Sequence, residues 1–120
     1  MDIRILFLFF AIFAIATTAF SMGSKAAFWH EGSAQITWPK AGELIDGEAK
    51  NELAYDFHPS LDGHHLRIYV DREPPVVVRE WRGSYTLPLL GMGRHVICIR
   101  ETNAMHVMTG LSKCVSVVAK

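Results

Sequence analysis

Apolar and polar residues alternate along a series of short runs, and this two-residue period is the main structural signal of the chain. Residues 34–38 alternate and stop at Pro39, and 52–57 place Leu53, Tyr55 and Phe57 on one face. The clearest strand is 64–71, with Leu66, Ile68 and Val70 facing one way and His65, Arg67 and Tyr69 the other. Residues 76–78 are three valines beside Pro74 and Pro75, the mark of an edge strand, because proline has no N–H for a ladder. A strand bent at Pro88 is expected over 84–90. In 94–100, His95, Ile97 and Ile99 share one face and Val96, Cys98 and Arg100 the other; 112–118 closes the set. Turn residues separate the runs at Asp46-Gly47, at 58–63 and at Gly91-Met92-Gly93, and 101–110 reads as a polar loop. Residues 41–47 read as loop or edge, with room for a short helical turn within 41–53.

Strands at a spacing of roughly 8 to 14 residues, with no sustained 3.6-residue apolar period, predict an all-β chain. About seven of them predict an immunoglobulin-like Greek-key β-sandwich. Cys98 and Cys114 fall on the last two strands, neighbours in one sheet, and are expected to form a disulfide. That pairing centres the hairpin on His106, turns both sulfurs away from the core, and points Ile97, Ile99, Val115 and Val117 into it.

The N-terminus changes the picture of where this sandwich works. Arg4 precedes an uncharged run over 5–16, and Ala19-Phe20-Ser21 offers small residues for cleavage. This is the anatomy of a signal peptide, expected over 1–21, with the domain at 22–120. An uncleaved anchor needs roughly 18 to 20 apolar residues, and the clean run is shorter. The mature domain is therefore expected to be periplasmic or secreted and free of the membrane, where an oxidising medium favours the disulfide. The chain has 12 basic and 12 acidic residues, and the leader takes one of each. No basic footprint remains for nucleic acid.

Candidate chemistry lies in the six histidines. In the expected topology the 58–63 and 101–110 loops emerge at one end of the sandwich. His58, His64, His65 and His106 gather there with Met105 and Met108. Imidazole with thioether points to copper before zinc. The expected ligand set is His64, His106 and Met108, with His58 and Met105 next. Because neighbours on a strand face opposite ways, only one of His64 and His65 is expected to join, unless the strand starts later. Solvated loop histidines and methionines packed over the open end are the plain alternative. His95, at the other end, reads as a buried, hydrogen-bonded histidine. A blue-copper centre is excluded, since its thiolate belongs close to the His and Met in one loop and Cys98 is remote.

Other chemistries lack their constellations. There is no Gly-x-Ser-x-Gly elbow, no dinucleotide fingerprint and no Ca²⁺-loop spacing, so no enzyme is expected. Trp29, Trp38 and Trp81 read as packing rather than sugar platforms. Three motifs resemble a family of small exported bacterial domains: the stretch 62–71 (DGHHLRIYVD), then 93–99 (GRHVICI), then 103–107 (NAMHV). That family is His-rich and immunoglobulin-like, with no assigned activity; the resemblance implies an exported sandwich with histidines at corresponding places. The chain departs from it in having no histidine over 73–84 and in pairing His64 with His65 directly. The expected role is a non-catalytic binding or accessory domain with copper at the His/Met rim. The alternative is a metal-free protein-interaction module that uses the 76–78 edge or the rim loops to meet a protein partner.

Overall fold

The alternating runs become eight strands across residues 32–120, the part described by the computed structural model; the expected leader lies outside the described residues. The strands β1 (Ser33–Trp38), β3 (Glu52–His58) and β6 (Arg82–Thr86) make one sheet in the order β1-β3-β6. The second sheet contains β2 (Leu44–Ile45), β4 (His65–Val70), β5 (Val76–Val78), β7 (Gly93–Thr102) and β8 (Met108–Ala119). Its order is β2-β8-β7-β4-β5. Every pairing is antiparallel except that of β2 with β8. The all-β sandwich expected from the periodicity is the fold.

Register explains the core. Leu53, Tyr55 and Phe57 of β3 meet Leu66, Ile68 and Val70 of β4, Ile97 and Ile99 of β7, and Val115 and Val117 of β8. Ile68 stands opposite Ile99, Val70 opposite Ile97, and Ile97 opposite Val115, so the inner faces coincide rung by rung. A slip of one residue would turn all of these side chains to solvent, and burial thus holds the register.

Several boundaries differ from expectation. Residues 44–45 are drawn into a short parallel strand, where Lys120 N–H donates to Ile45 O and Val118 N–H to Glu43 O. No helical turn forms in 41–53. The strand expected over 84–90 instead runs Arg82–Thr86, and Leu87 leaves the ladder to bury itself, its N–H bonded to Asn51 O. The loop expected over 101–110 contracts to 103–107, because β7 continues through Glu101 and Thr102. β8 absorbs the mismatch in a bulge between Ser112 and Met108, where Gly110 takes φ 101°.

Cys98 and Cys114 stand directly opposite each other in the β7–β8 ladder and are joined by a disulfide, at a sequence separation of 16. Cys98 is buried under the outer face of the sheet and Cys114 is exposed. A loop of this length stabilises by about 3 kcal/mol in the chain-entropy account. The double variant Cys98→Ala/Cys114→Ala is expected to keep the fold and lose about that much in urea unfolding. Phe57→Ala, which empties the centre of the core, is expected to cost about 3–5 kcal/mol in the same measurement.

Candidate functional site

The loops expected to meet do meet, and Glu101 is what joins them. Its carboxylate has no exposure to solvent. Ser60 in the β3–β4 loop donates its N–H to Oε2 (2.9 Å) and its hydroxyl to Oε1, and Thr109 on the β8 bulge donates to Oε1 at 2.6 Å. Donors from both sides of the end thus satisfy one buried carboxylate, as a buried charge requires. Gly63 lies against the same group: a Cβ there would come within 2.5 Å of Glu101 Oε2. Only glycine lets the β3–β4 loop pass this closely.

Beyond Glu101 the β7–β8 tip is built by Asn103. Its side-chain oxygen accepts from Met105 N–H (2.9 Å) and Val107 N–H (3.0 Å), while its own N–H donates to Val107 O. This local network holds His106 in the left-handed region at φ 65°, uncommon outside glycine and asparagine. His106 therefore projects back over the outer face of the five-stranded sheet.

There it meets His65. The two rings lie 5.6 Å apart, and His65 packs edge-on against His64 at 5.2 Å with their Nδ1 atoms 3.0 Å apart. An Arg67 N–H donates to His106 Nδ1 at 3.3 Å. For His64 and His65 the later strand start allowed for in the sequence is the case found. β4 begins at His65, so His64 lies before the strand and is not bound by its alternation. His64 N–H still donates to Thr102 O, which keeps it beside the sheet.

The other expected ligands do not join this cluster. Met108 lies on the outer face, with its sulfur 3.8 Å from an Arg100 N–H. Met105 is largely exposed at the tip. His58 sits at the end of β3, 3.9 Å from Asp56 on the other sheet. Among the described residues, no group of three or more His, Cys, Asp or Glu side chains is arranged to hold a metal ion.

His65, already gathered at this rim in the sequence, and Thr102, which the sequence did not single out, complete the end. His65 and Thr102 face each other across β4 and β7 with 2% and 0% exposure. His65 Nε2 and Thr102 Oγ1 are both buried without a hydrogen-bond partner. The next outward rung is Arg67 opposite Arg100, and the one after is Tyr69 opposite Cys98. The Arg100 guanidinium lies 5.1 Å above the Tyr69 ring, a cation–π contact. The alternation of β4 and β7 showed which residues face outward; which of them stand opposite one another is a matter of register.

The titration of two histidines is moved in opposite directions. Burial lowers the pKa of His65, and the positive charges of His64, Arg67, His106 and Arg79 lower it further. His65 is thus held neutral. At the far end, the hydrogen bond from His95 Nδ1 to Asp71 (2.6 Å) raises the pKa of His95, helped by Gly91 O at 3.1 Å and the Asp71 charge, against burial. His95 is the hydrogen-bonded histidine expected there.

Comparison with known proteins matches this geometry to one fold. The chain is similar to the fibronectin(III)-like modules of Clostridium thermocellum CbhA, at 19% identity and a TM-score of 0.59. The match covers 72% of this chain and 96% of that one. No protein-family model and no curated protein matches the sequence. The likeness shows the fold, an immunoglobulin-like β-sandwich.

The opposed histidines predict a stability profile with two flanks. The His65 contribution is complete above the unfolded pKa of about 6.5 and is lost as pH falls from there toward the lower folded value. The His95 contribution is complete below about 6.5 and is lost as pH rises through its raised folded value. Urea unfolding across this range should show His65→Phe flattening the acid flank and Asp71→Asn the alkaline one. Unchanged slopes in both variants would contradict the assignment.

Proposed function

We propose that this is an exported, non-catalytic binding domain whose ligand meets it where the β3–β4 loop and the β7–β8 tip converge. The observation that carries the reading is the meeting of His106 with His65 and Arg67 across 39 residues of sequence, between Arg67 and His106, on a scaffold fixed by buried Glu101. A convergent polar cluster held on strands and pinned loops is the form of a binding site. Among the described residues, His64, His65 and His106 have as side-chain hydrogen-bond partners only each other and Arg67. That arrangement holds charge and activates no nucleophile. Export is supported by the leader-like N-terminus, by the disulfide and by the resemblance to His-rich exported domains.

The copper form of this reading finds a poor fit in the residues present. Nδ1 of His106 takes an arginine N–H, Nδ1 of His64 is shared with His65, and the Met108 sulfur lies beside a second arginine. Two cations next to the donors oppose a third. A second reading, strand addition along β5, is favoured by the exposure of Val76 and Val77 at 40% and 49%. Its three-residue length and the preceding Pro74-Pro75 shorten the ladder it offers.

A thermal-shift panel of Cu(I), Cu(II), Zn²⁺, Ni²⁺, phosphate and citrate, run on the protein and on His106→Ala, tests the binding end. His106 is exposed, so the variant is expected to fold. At least one ligand should raise the melting temperature saturably in the parent and lose that effect in the variant. Equal shifts throughout both proteins would remove the site from this end.

A further inference from the structure

Every charged side chain on the outward-facing rungs of the five-stranded sheet is an arginine. In the outward register, Arg94 faces Val118, Arg67 faces Arg100, and the remaining rungs carry His65, Thr102, Tyr69, Val77, Val96, the two cysteines, serines and Met108. Asp71, just beyond β4, is taken by the His95 ring and the Val96 N–H. Like charges placed directly opposite across two strands repel. Among the described residues neither Arg67 nor Arg100 has a carboxylate within 4.0 Å. Their side-chain partners are an imidazole nitrogen, a thioether and the face of a tyrosine, none of which carries a negative charge.

The rung beside this pair holds two of the three buried side-chain polar atoms without hydrogen-bond partners among the described residues, His65 Nε2 and Thr102 Oγ1. The contact between His64 Nδ1 and His65 Nδ1 needs a proton on one of the two rings; where His64 supplies it, neutral His65 carries its own proton on Nε2 and is a donor there. The Thr102 hydroxyl is a donor as well. A buried donor left unmet costs on the order of 1–3 kcal/mol, so two on facing residues mark a place that asks for an acceptor. Guanidinium groups present planar forks of N–H bonds that match carboxylate and phosphate oxygens. His106, held at a left-handed φ, roofs the same spot.

We propose that Arg67 and Arg100, roofed by His106 and backed by His65 and Thr102, form a binding site for an oxyanion: the carboxylate or phosphate group of a small molecule. The inference rests on the reading of this end as the binding end and gives it a ligand class. The anion neutralises the facing arginines and takes the free donors, whereas a metal ion would add a third positive charge to the pair.

The test is titration of the isotopically labelled protein with inorganic phosphate and with citrate, at ionic strength held constant with chloride, following the arginine Nε–H and His106 ring signals. Saturable shifts are expected for phosphate or citrate, and the better of the two identifies a phosphoryl or a carboxylate ligand. Arg67→Gln and Arg100→Gln should each weaken binding at least about tenfold, the size of a lost charge-assisted hydrogen bond. Arg94→Gln removes the same charge from the far part of the same face and should leave the affinity within about twofold. Shifts that do not saturate, or equal weakening by Arg94→Gln, overturn the proposal in favour of general charge attraction. If no oxyanion saturates while a metal shift in the thermal panel depends on His106, the ligand class is wrong and the binding end stands. If neither depends on these residues, both readings fall.

Discussion

A carboxylate removed from water must be met by donors, and at Glu101 that requirement sets the geometry of the whole loop end. Ser60 and Thr109 come from segments that share no sequence neighbourhood, yet both must reach Glu101 for the charge to be tolerated. Drawing Thr109 inward places the bulge in β8 and shortens the β7–β8 connection. Drawing Ser60 inward brings the β3–β4 loop across, with Gly63 passing against the carboxylate. His65 then starts its strand beside Thr102, and His106 comes down over it. The imidazoles meet because the carboxylate beneath them is sealed.

The two ends of the five-stranded sheet handle charge in contrasting ways. At one end His95 and Asp71 form a matched pair, and the imidazole is favoured as a cation. At the other, His65 lies among cations and is favoured as a neutral ring. The same residue type is thus favoured as a cation near one edge of the fold and as a neutral ring near the other. Neighbouring groups decide which.

Much of this architecture is legible as alternation. Leu53, Tyr55 and Phe57, Leu66, Ile68 and Val70, and Ile97 and Ile99 declare their inward faces in the bare sequence, and the Cys98–Cys114 register follows from the hairpin. What the sequence conceals is polar burial. Glu101 and Thr102 look like loop residues, because nothing local announces that Ser60 and Thr109 will satisfy a carboxylate from a distance. His65 looks like the partner pointing away from any site, because the outer face of a sheet normally meets solvent. The facing of Arg67 with Arg100 depends on which rung of β4 meets which rung of β7, a fact of three-dimensional register. That His64 and His106 lie at one end of the sandwich was readable from loop topology, whereas Met108 and His58 lie against other partners.

The disulfide divides the β7–β8 hairpin into two mechanical compartments. On its open side lie Gly93 to Ile97, paired with Val115 to Ala119; on its closed side lie Glu101, Thr109 and the His106 tip. Fraying that begins where the strands part can run only as far as the bridge, since the two backbones cannot separate beyond a covalent cross-link. The tip is left as a short closed ring with its own internal hydrogen bonds. Hydrogen exchange within this ring is thereby uncoupled from breathing of the rest of the sheet, and the imidazole end keeps its shape through partial openings elsewhere.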